Sequence, residues 1–240
     1  MNKNYTVYSA NRKESLNKYL MEVFLNMGLS LLLTFIVSFV IGYFFRNFAV
    51  FVLSSFVCQI VLLLANIVVI SILRTQVASS NTTLATTLLY LFAFLIGVNT
   101  SYIYFIFTIN EIFFALLASS IFFLSMFFFG LFTKKNLSKW SSILSVMLFS
   151  LLIMNSINLI LFFIGYNISF INILLSSFSI ILFSLYTAYD IQNIKNLYFA
   201  YDGDRLKSIG VYGALHLYLN FINIFQSILR IMYYTRKKDE

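Results

Sequence analysis

The sequence predicts an all-α membrane protein built from seven transmembrane helices. Of its 240 residues, 61% are hydrophobic and 10% are charged, whereas a soluble domain carries about 25% charged residues. Its apolar runs each reach about 20 residues, the length with which a helix crosses roughly 30 Å of hydrocarbon. The strand-like alternation of a transmembrane barrel is missing from these runs. Together these features favour a helical bundle in a membrane.

Seven apolar runs form the expected membrane domain, residues 24–234, between a polar N-terminal tail (1–23) and a charged C-terminal tail (235–240). In chain order, the runs are residues 24–45, 48–73, 84–108, 112–132, 141–164, 168–191 and 209–234. The polar tail is longer than the lead of a signal peptide, and no small-residue cleavage site follows it. We therefore expect the first run to stay in the mature protein.

Two of the breaks between runs are very short. Arg46-Asn47 separates the first run from the second, and Asn110-Glu111 separates the third from the fourth. Consecutive helices with short connections usually lie side by side. We therefore expect tight turns at these two places, with antiparallel helices on either side. The chain has no proline, so any interruption inside a run has to come from Gly, Ser, Thr or Asn.

The net charge of +8, from 16 basic and 8 acidic residues, does not indicate nucleic-acid binding. The basic residues flank the ends of the runs, as the positive-inside rule describes. With the N-terminus inside, the inner segments hold Lys3, Arg12, Lys13, Lys18, Arg74, Lys134, Lys135, Lys139, Lys195, Arg205 and Lys207. The outer segments before the last run hold only Arg46. The sequence therefore predicts a multi-pass protein of the cell membrane with a cytoplasmic N-terminus.

The C-terminal segment departs from this charge pattern. Seven full crossings place four basic residues outside, namely Arg230, Arg236, Lys237 and Lys238. Either these charges are tolerated there, or one late segment does not cross fully. Seven crossings are the favoured interpretation, because each run is long enough to span the membrane.

Asp190 is the acidic residue that points most clearly to function. Of the eight acidic residues, it alone directly follows a long apolar stretch. A carboxylate near the bilayer centre costs roughly 2.5–3.5 kcal/mol on insertion scales, so such residues usually face a polar interior, an ion path or a partner. The alternative is a carboxylate at a helix end in the headgroup region, because polar residues follow Asp190 at once.

Two C-terminal segments carry a family resemblance. Residues 182–195 read LFSLYTAYDIQNIK, and residues 214–230 read ALHLYLNFINIFQSILR. They resemble the sixth-helix and seventh-helix motifs of the Bax inhibitor-1 (transmembrane Bax inhibitor motif) family, bacterial type. Residues 133–138 resemble the short basic loop of that family, and residues 89–100 resemble its third span. In order and spacing the resemblance covers about residues 24–234.

The resemblance implies a seven-helix fold with six helices around a central one, and a pH-sensitive calcium leak pathway. The sensor of the family is a pair of aspartates, one in each C-terminal motif. Asp190 matches the first, whereas Asn220 stands in place of the second. Two nearby carboxylates share a proton, and an Asp–Asn pair keeps a hydrogen bond without the repulsion. We expect these two residues to form the gate, with Asp190 as a calcium contact and an altered response to pH.

Two further residues are candidates for this site. Arg74 closes the second run, where the family commonly carries a basic residue that pairs with the sixth-helix aspartate; the alternative is an interfacial arginine that serves topology. His216 is the only histidine and precedes Asn220 by four residues, so both lie on one helix face. It either titrates in place of the missing aspartate or forms an interhelical hydrogen bond. Tyr218 and Asn223 are expected to pack and hydrogen-bond.

The favoured function is therefore a pH-modulated calcium leak channel, with calcium as the permeating ion and no cofactor. We expect no enzyme, because the chain has no Gly-rich phosphate loop, no His-Glu-x-x-His helix and no clustered Ser/His/Asp arrangement. Cys58, the only cysteine, excludes a multi-cysteine metal site. The alternative is a regulatory protein without transport activity that binds a membrane protease or other membrane partners. The expected partners are lipid, calcium and membrane proteins, but not nucleic acid.

Overall fold

A computed structural model describes residues 3–164 and 169–239, and these residues form helices and no strand. The helices are α1 (Lys3–Phe44), α2 (Arg46–Ser54), α3 (Phe56–Ala78), α4 (Thr82–Thr100), α5 (Ile103–Ile106), α6 (Ile109–Phe132), a 3₁₀ helix (Leu137–Trp140), α7 (Ser141–Phe163), α8 (Ser169–Ala200) and α9 (Gly203–Asp239). Within the described residues, seven helical stretches are long and apolar enough to cross a membrane, namely Ser15–Phe44, Phe56–Ala78, Thr82–Ile106, Ile109–Phe132, Leu137–Asn158, Ser169–Ala200 and Gly203–Arg236. The all-α fold and the seven spans are confirmed.

Several helices extend beyond the apolar runs that predict them. The first helix begins at Lys3, inside the segment expected to be a polar tail, and its apolar span begins at Ser15 rather than at residue 24. The helices of the sixth and seventh runs are also longer than the runs themselves. The helix α8 continues past residue 191 to Ala200, and α9 begins at Gly203 rather than at residue 209. Hydropathy marks only the part of a helix that fits hydrocarbon, whereas the backbone hydrogen bonds continue through polar residues.

The first expected break lies one residue before Arg46, at Phe45, which separates α1 from α2. The second apolar run is itself divided, because a further break at Ser55 separates α2 from α3. The Ser55 side chain accepts a hydrogen bond from the backbone N–H of Cys58 and so caps α3. The side chain of Gln59 then donates to the carbonyl of Val52 across the break, at 2.9 Å.

The second expected turn lies slightly earlier than predicted. Asn110 and Glu111 belong to the first turn of α6, and the break is formed by Phe107 and Thr108. Thr108 and Glu111 form a capping box, in which each side chain accepts a hydrogen bond from the backbone N–H of the other. This box satisfies two N–H groups that a helix start leaves without partners.

The chain divides into two compact units. In the first, residues up to Phe105 are grouped with Ile194–Tyr218. Here α4 packs along α1 so closely that a Cβ atom at Gly97 would lie 2.9 Å from the Thr34 carbonyl oxygen. The Thr34 hydroxyl lies 2.9 Å from the Ala93 carbonyl oxygen and 2.7 Å from the Tyr218 hydroxyl, so it joins three helices.

The second unit groups Ile106–Asn193 with residues from Leu219 onward. Its α7 and α8 share a leucine cluster, formed by Leu144, Leu151, Leu175 and Leu182. On α6, Phe123 packs edge-on against Phe221 of α9, with ring centroids 5.8 Å apart. The hydroxyls of Ser179 and Ser227 join α8 to α9 at 2.9 Å.

The seventh span is the most buried. Of the residues in its most apolar stretch, 72% are buried, against 11–44% for the other six spans found among the described residues. Near its end, Arg236 donates to the Glu111 carboxylate at 3.1 Å and to the Ile106 carbonyl at 3.0 Å. The C-terminal part of α9 therefore reaches the connection between α5 and α6, as a full seventh crossing requires.

Candidate gate at Asp190 and Asn220

Asp190 lies in the interior of α8. Ten residues separate it from the end of that helix at Ala200, which corresponds to about 15 Å at 1.5 Å per residue. The residue is only 5% exposed. It is therefore a carboxylate inside a packed helix, and its burial needs a partner, because an uncompensated charge in such a place is very unfavourable.

Asn220 supplies a partner. Its Nδ2 donates to Oδ2 of Asp190 at 2.7 Å, and Asn220 is itself 4% exposed. At this length the bond is in the range of charge-assisted hydrogen bonds, which are about twice as strong as neutral ones. The structure thus brings together the two residues that the family motifs single out, one from α8 and one from α9. Their role as a gate remains a prediction.

The pair can keep a hydrogen bond in either protonation state of Asp190. A carboxylate accepts from the Asn220 amide, as in the structure. A protonated carboxyl has an O–H, which can donate to the amide oxygen after the amide turns over. An Asp–Asp pair lacks this property, because two ionised carboxylates repel and have no proton to share.

The helix that carries Asp190 is held closely by α6. A Cβ atom at Gly130 of α6 would lie only 2.4 Å from the carbonyl oxygen of Ala188, two residues before Asp190. Only a glycine allows the two backbones to approach so closely. Phe221 follows Asn220 directly on α9, and its ring packs against the ring of Phe123 on α6. The two helices that carry the pair, α8 and α9, therefore both pack against α6 close to the pair.

Gln192, two residues after Asp190, ties α8 to the basic loop that follows α6. Its Oε1 accepts from the backbone N–H of Leu137 at 2.7 Å, and its Nε2 donates to the carbonyl of Lys135 at 2.8 Å. These two hydrogen bonds fix the loop of residues 133–138, which resembles the short basic loop of the family. The role of Gln192 was not predicted, although the residue lies inside the sixth-helix motif, because no pattern in the sequence shows which backbone groups it reaches.

The remaining predicted residues have other surroundings. Arg74 lies near the end of α3, is exposed, and forms no ion pair within the described part of the chain. His216 is half-buried and packs edge-on against Tyr212, one turn earlier on α9, at 4.6 Å between ring centroids. Tyr218 hydrogen-bonds with Thr34, and Asn223 donates to the carbonyl of Leu219. Tyr218 and Asn223 therefore hydrogen-bond within the fold, as expected. The role of Arg74 as a counter-charge and that of His216 as a titrating group stay predictions.

Asp190 and Asn220 could supply only part of the coordination shell of a cation. Calcium takes six to eight oxygen ligands, and residues 3–164 and 169–239 contain no cluster of three or more His, Cys, Asp or Glu side chains suited to a metal ion. Water would have to complete the shell.

Comparison with known proteins decides the family. Residues 16–237 match the family described as "Inhibitor of apoptosis-promoting Bax1". The chain belongs to the Bax inhibitor family. Among bacterial relatives, this Bax inhibitor-family protein is 27% identical to YrjE of Lactococcus lactis over 232 residues, which are 96% of each chain. It is 30% identical to a membrane protein of Streptococcus pyogenes (90% and 92% covered) and 28% identical to the inner membrane protein YbhL of Escherichia coli (91% and 92%).

Membership of the Bax inhibitor family extends over almost the whole membrane domain. The matched residues include both C-terminal motifs and all seven candidate spans except the first residue of the first span. The relatives named as membrane proteins agree with the seven apolar helices of this chain. The chain is therefore an integral membrane protein, and the departure at Asn220 occurs within the matched region.

Proposed function

We propose that this Bax inhibitor-family protein is a calcium-permeable leak channel whose closed state is held by the bond between Asp190 and Asn220. The observation that carries the proposal is a carboxylate buried inside a membrane-spanning helix and bonded at 2.7 Å to a second helix. Ionisable groups in such places generally belong to ion pathways or relays, because burial inside a membrane protein is otherwise unfavourable.

Opening requires the two side chains to separate. Loss of the Asn220 amide leaves the Asp190 carboxylate without that donor, which costs about 1–3 kcal/mol unless another partner replaces it. A partly hydrated cation is such a partner, because carboxylate oxygens are the ligands that calcium prefers. The same exchange favours cations over anions, since an anion cannot replace a hydrogen-bond donor.

The proposal is tested by calcium flux into liposomes that contain only this protein. Asp190→Asn keeps the shape of the side chain and removes its charge. We expect flux to fall about tenfold, which corresponds to about 1.4 kcal/mol in the barrier, because the cation loses its charged ligand while an amide pair still closes the path. Asp204→Asn is the matched control, because the Asp204 side chain is 79% exposed.

Unchanged flux through a well-folded Asp190→Asn protein would remove Asp190 from the pathway. A natural chain that is silent at every pH, while a membrane protease co-purifies with it from cells, would support the alternative. In that case the protein acts by binding membrane partners. The replacement of a family carboxylate by Asn220 is the feature that favours this alternative.

A further inference from the structure

A small cavity in the first unit is independent of the Asp190 pair. It lies beside the early part of α1 and the beginnings of α4 and α9, and it is partly open. Among the residues that line it are Tyr19, Glu22, Asn26, Thr82, Lys207 and Gly210. Five of the eight lining residues have polar side chains, although apolar atoms form most of the cavity wall.

The cavity contains hydrogen-bonding capacity that the protein does not use. Tyr19 is 6% exposed, yet its hydroxyl has no hydrogen-bond partner among the described residues. A buried polar group without a partner costs about 1–3 kcal/mol. The Oδ1 of Asn26 accepts from the Tyr90 hydroxyl at 3.0 Å, which leaves the Nδ2 protons of that amide to donate. Two neutral donors, the hydroxyl of Tyr19 and the amide of Asn26, are therefore provided by one helix.

The cavity also has one charge of each sign. Glu22 lies between Tyr19 and Asn26 on α1, and Lys207 comes from α9. The only ion pair of Lys207 within the described residues is with Asp204, at 3.5 Å, and both side chains are largely exposed. An exposed pair of this kind contributes little, so Lys207 is available to a ligand.

The size of the cavity limits what it can hold. Its volume of about 70 Å³ has room for about five to seven non-hydrogen atoms, at roughly 10–15 Å³ for each water-sized sphere. Gly210 contributes to this room, because a Cβ atom there would lie 3.0 Å from the Tyr19 ring. The ligand must therefore be very small.

We infer that the cavity binds a small zwitterion of the amino-acid type, with the size of glycine or alanine. Its carboxylate would accept from Lys207, from the Tyr19 hydroxyl and from the Asn26 amide. Its ammonium group would face Glu22. Neither a simple anion nor a simple cation fits as well, since each would meet one wall of like charge. The site is separate from the proposed calcium pathway and does not depend on it.

Calorimetric titration of the purified full chain in detergent tests this inference with three probes of similar size. We expect glycine to bind, and acetate and methylamine to bind at least tenfold more weakly, because each has only one of the two charges. Acetate that binds as tightly as glycine would make this an anion site and overturn the proposal. Binding of none of the three at millimolar concentrations would mean that the cavity holds only water.

Three variants separate binding from folding. Tyr19→Phe removes a hydroxyl that has no partner in the part of the chain that the structure describes. Thermal stability without ligand should therefore be unchanged or higher, while glycine affinity falls at least tenfold. Lys207→Gln should have the same effect on affinity, and Arg205→Gln, on the same helix but outside the cavity lining, should not. Glycine binding that survives both Tyr19→Phe and Lys207→Gln would overturn the assignment.

Discussion

At the scale of single residues, the amide of Asn220 is the feature that sets this chain apart from a two-aspartate pair. It donates to Asp190 in the structure, and it can accept from the same residue once that residue is protonated. A hydrogen bond between the two side chains can therefore persist in either protonation state of Asp190. Under the proposed function, we expect proton uptake by Asp190 alone to have little effect on channel opening.

This leads to a prediction for the Asn220→Asp variant. Two carboxylates at this distance share one proton, so loss of that proton forces the pair apart. We expect calcium flux in liposomes to respond to pH more steeply in the variant than in the natural chain, with a midpoint at higher pH.

Identical pH profiles would mean that these two positions do not control the path. The natural chain itself should show only a shallow response. A response that disappears on His216→Ala would assign the sensing role to that histidine instead.

A second residue-level prediction concerns Thr34. Its single hydroxyl proton can serve one of the carbonyls it approaches, Ser30 or Ala93, so the Tyr218 hydroxyl must donate to it. Thr34→Val leaves that phenol buried without an acceptor. We expect a loss of about 0.6 kcal/mol in the free energy of unfolding, and not more than about 1.7 kcal/mol, the average and the maximum that double-mutant cycles give for hydrogen bonds between membrane helices.

Thermal unfolding in detergent measures this loss, with Thr87→Val as the control. Within the described residues, the exposed Thr87 hydroxyl bonds only to the carbonyl of Thr83 in its own helix. Equal stabilities of the two variants would show that the contact between Thr34 and Tyr218 is not stabilising.

The two kinds of residue contact differ in how far a sequence predicts them. The Asp190–Asn220 contact follows from a resemblance between motifs, because both residues occupy recognisable positions. The Thr34–Tyr218 contact joins residues 184 positions apart, and hydropathy carries no information on which buried hydroxyl meets which. The cavity at Tyr19 could not be predicted from the sequence either, because its polar residues are spread over three helices.

At the scale of helices, the contact of α6 with α8 depends on one glycine. A methyl group at Gly130 would overlap the backbone at Ala188, so Gly130→Ala must push the two helices apart. We expect a loss of about 1–3 kcal/mol, the usual cost of overpacking, and a faster calcium leak, because Asp190 lies half a turn from the point of contact.

Gly28→Ala is the matched control, since nothing lies within 4 Å of the position that its Cβ atom would take. That substitution should be neutral or slightly stabilising, because alanine is the better helix former. Thermal unfolding and calcium flux of both variants check the prediction. A neutral Gly130→Ala protein would show that α6 and α8 can separate at no cost.

Helix number and order were predictable because each span must be apolar over a fixed length. The break at Ser55 was not, since both sides of it are equally apolar. It depends instead on a cap by Ser55 and a side-chain contact from Gln59. The extension of α1 to Lys3 was also missed, because a helix that leaves the hydrocarbon no longer needs apolar residues.

At the scale of the whole molecule, the topology can be tested by cysteine labelling after Cys58 is replaced by serine. With the N-terminus in the cytoplasm, Lys139→Cys should react with an impermeant reagent only after the membrane is opened. Asn110→Cys should react in intact cells. Thr235→Cys should behave like Asn110→Cys, because Arg236 is paired with Glu111. Labelling of Lys139→Cys from outside would contradict the proposed orientation.

The burial of α9 also has a consequence for the biogenesis of the protein. The helix that supplies the partner of Asp190 follows α8 in the chain, so the translocon receives α8 first, while its carboxylate still lacks the Asn220 amide. The apolar residues of α8 must outweigh a cost of roughly 2.5–3.5 kcal/mol at that moment. Until α9 arrives, the nascent bundle lacks its most buried helix, and this interval is when a membrane chaperone or a quality-control protease would find it most exposed.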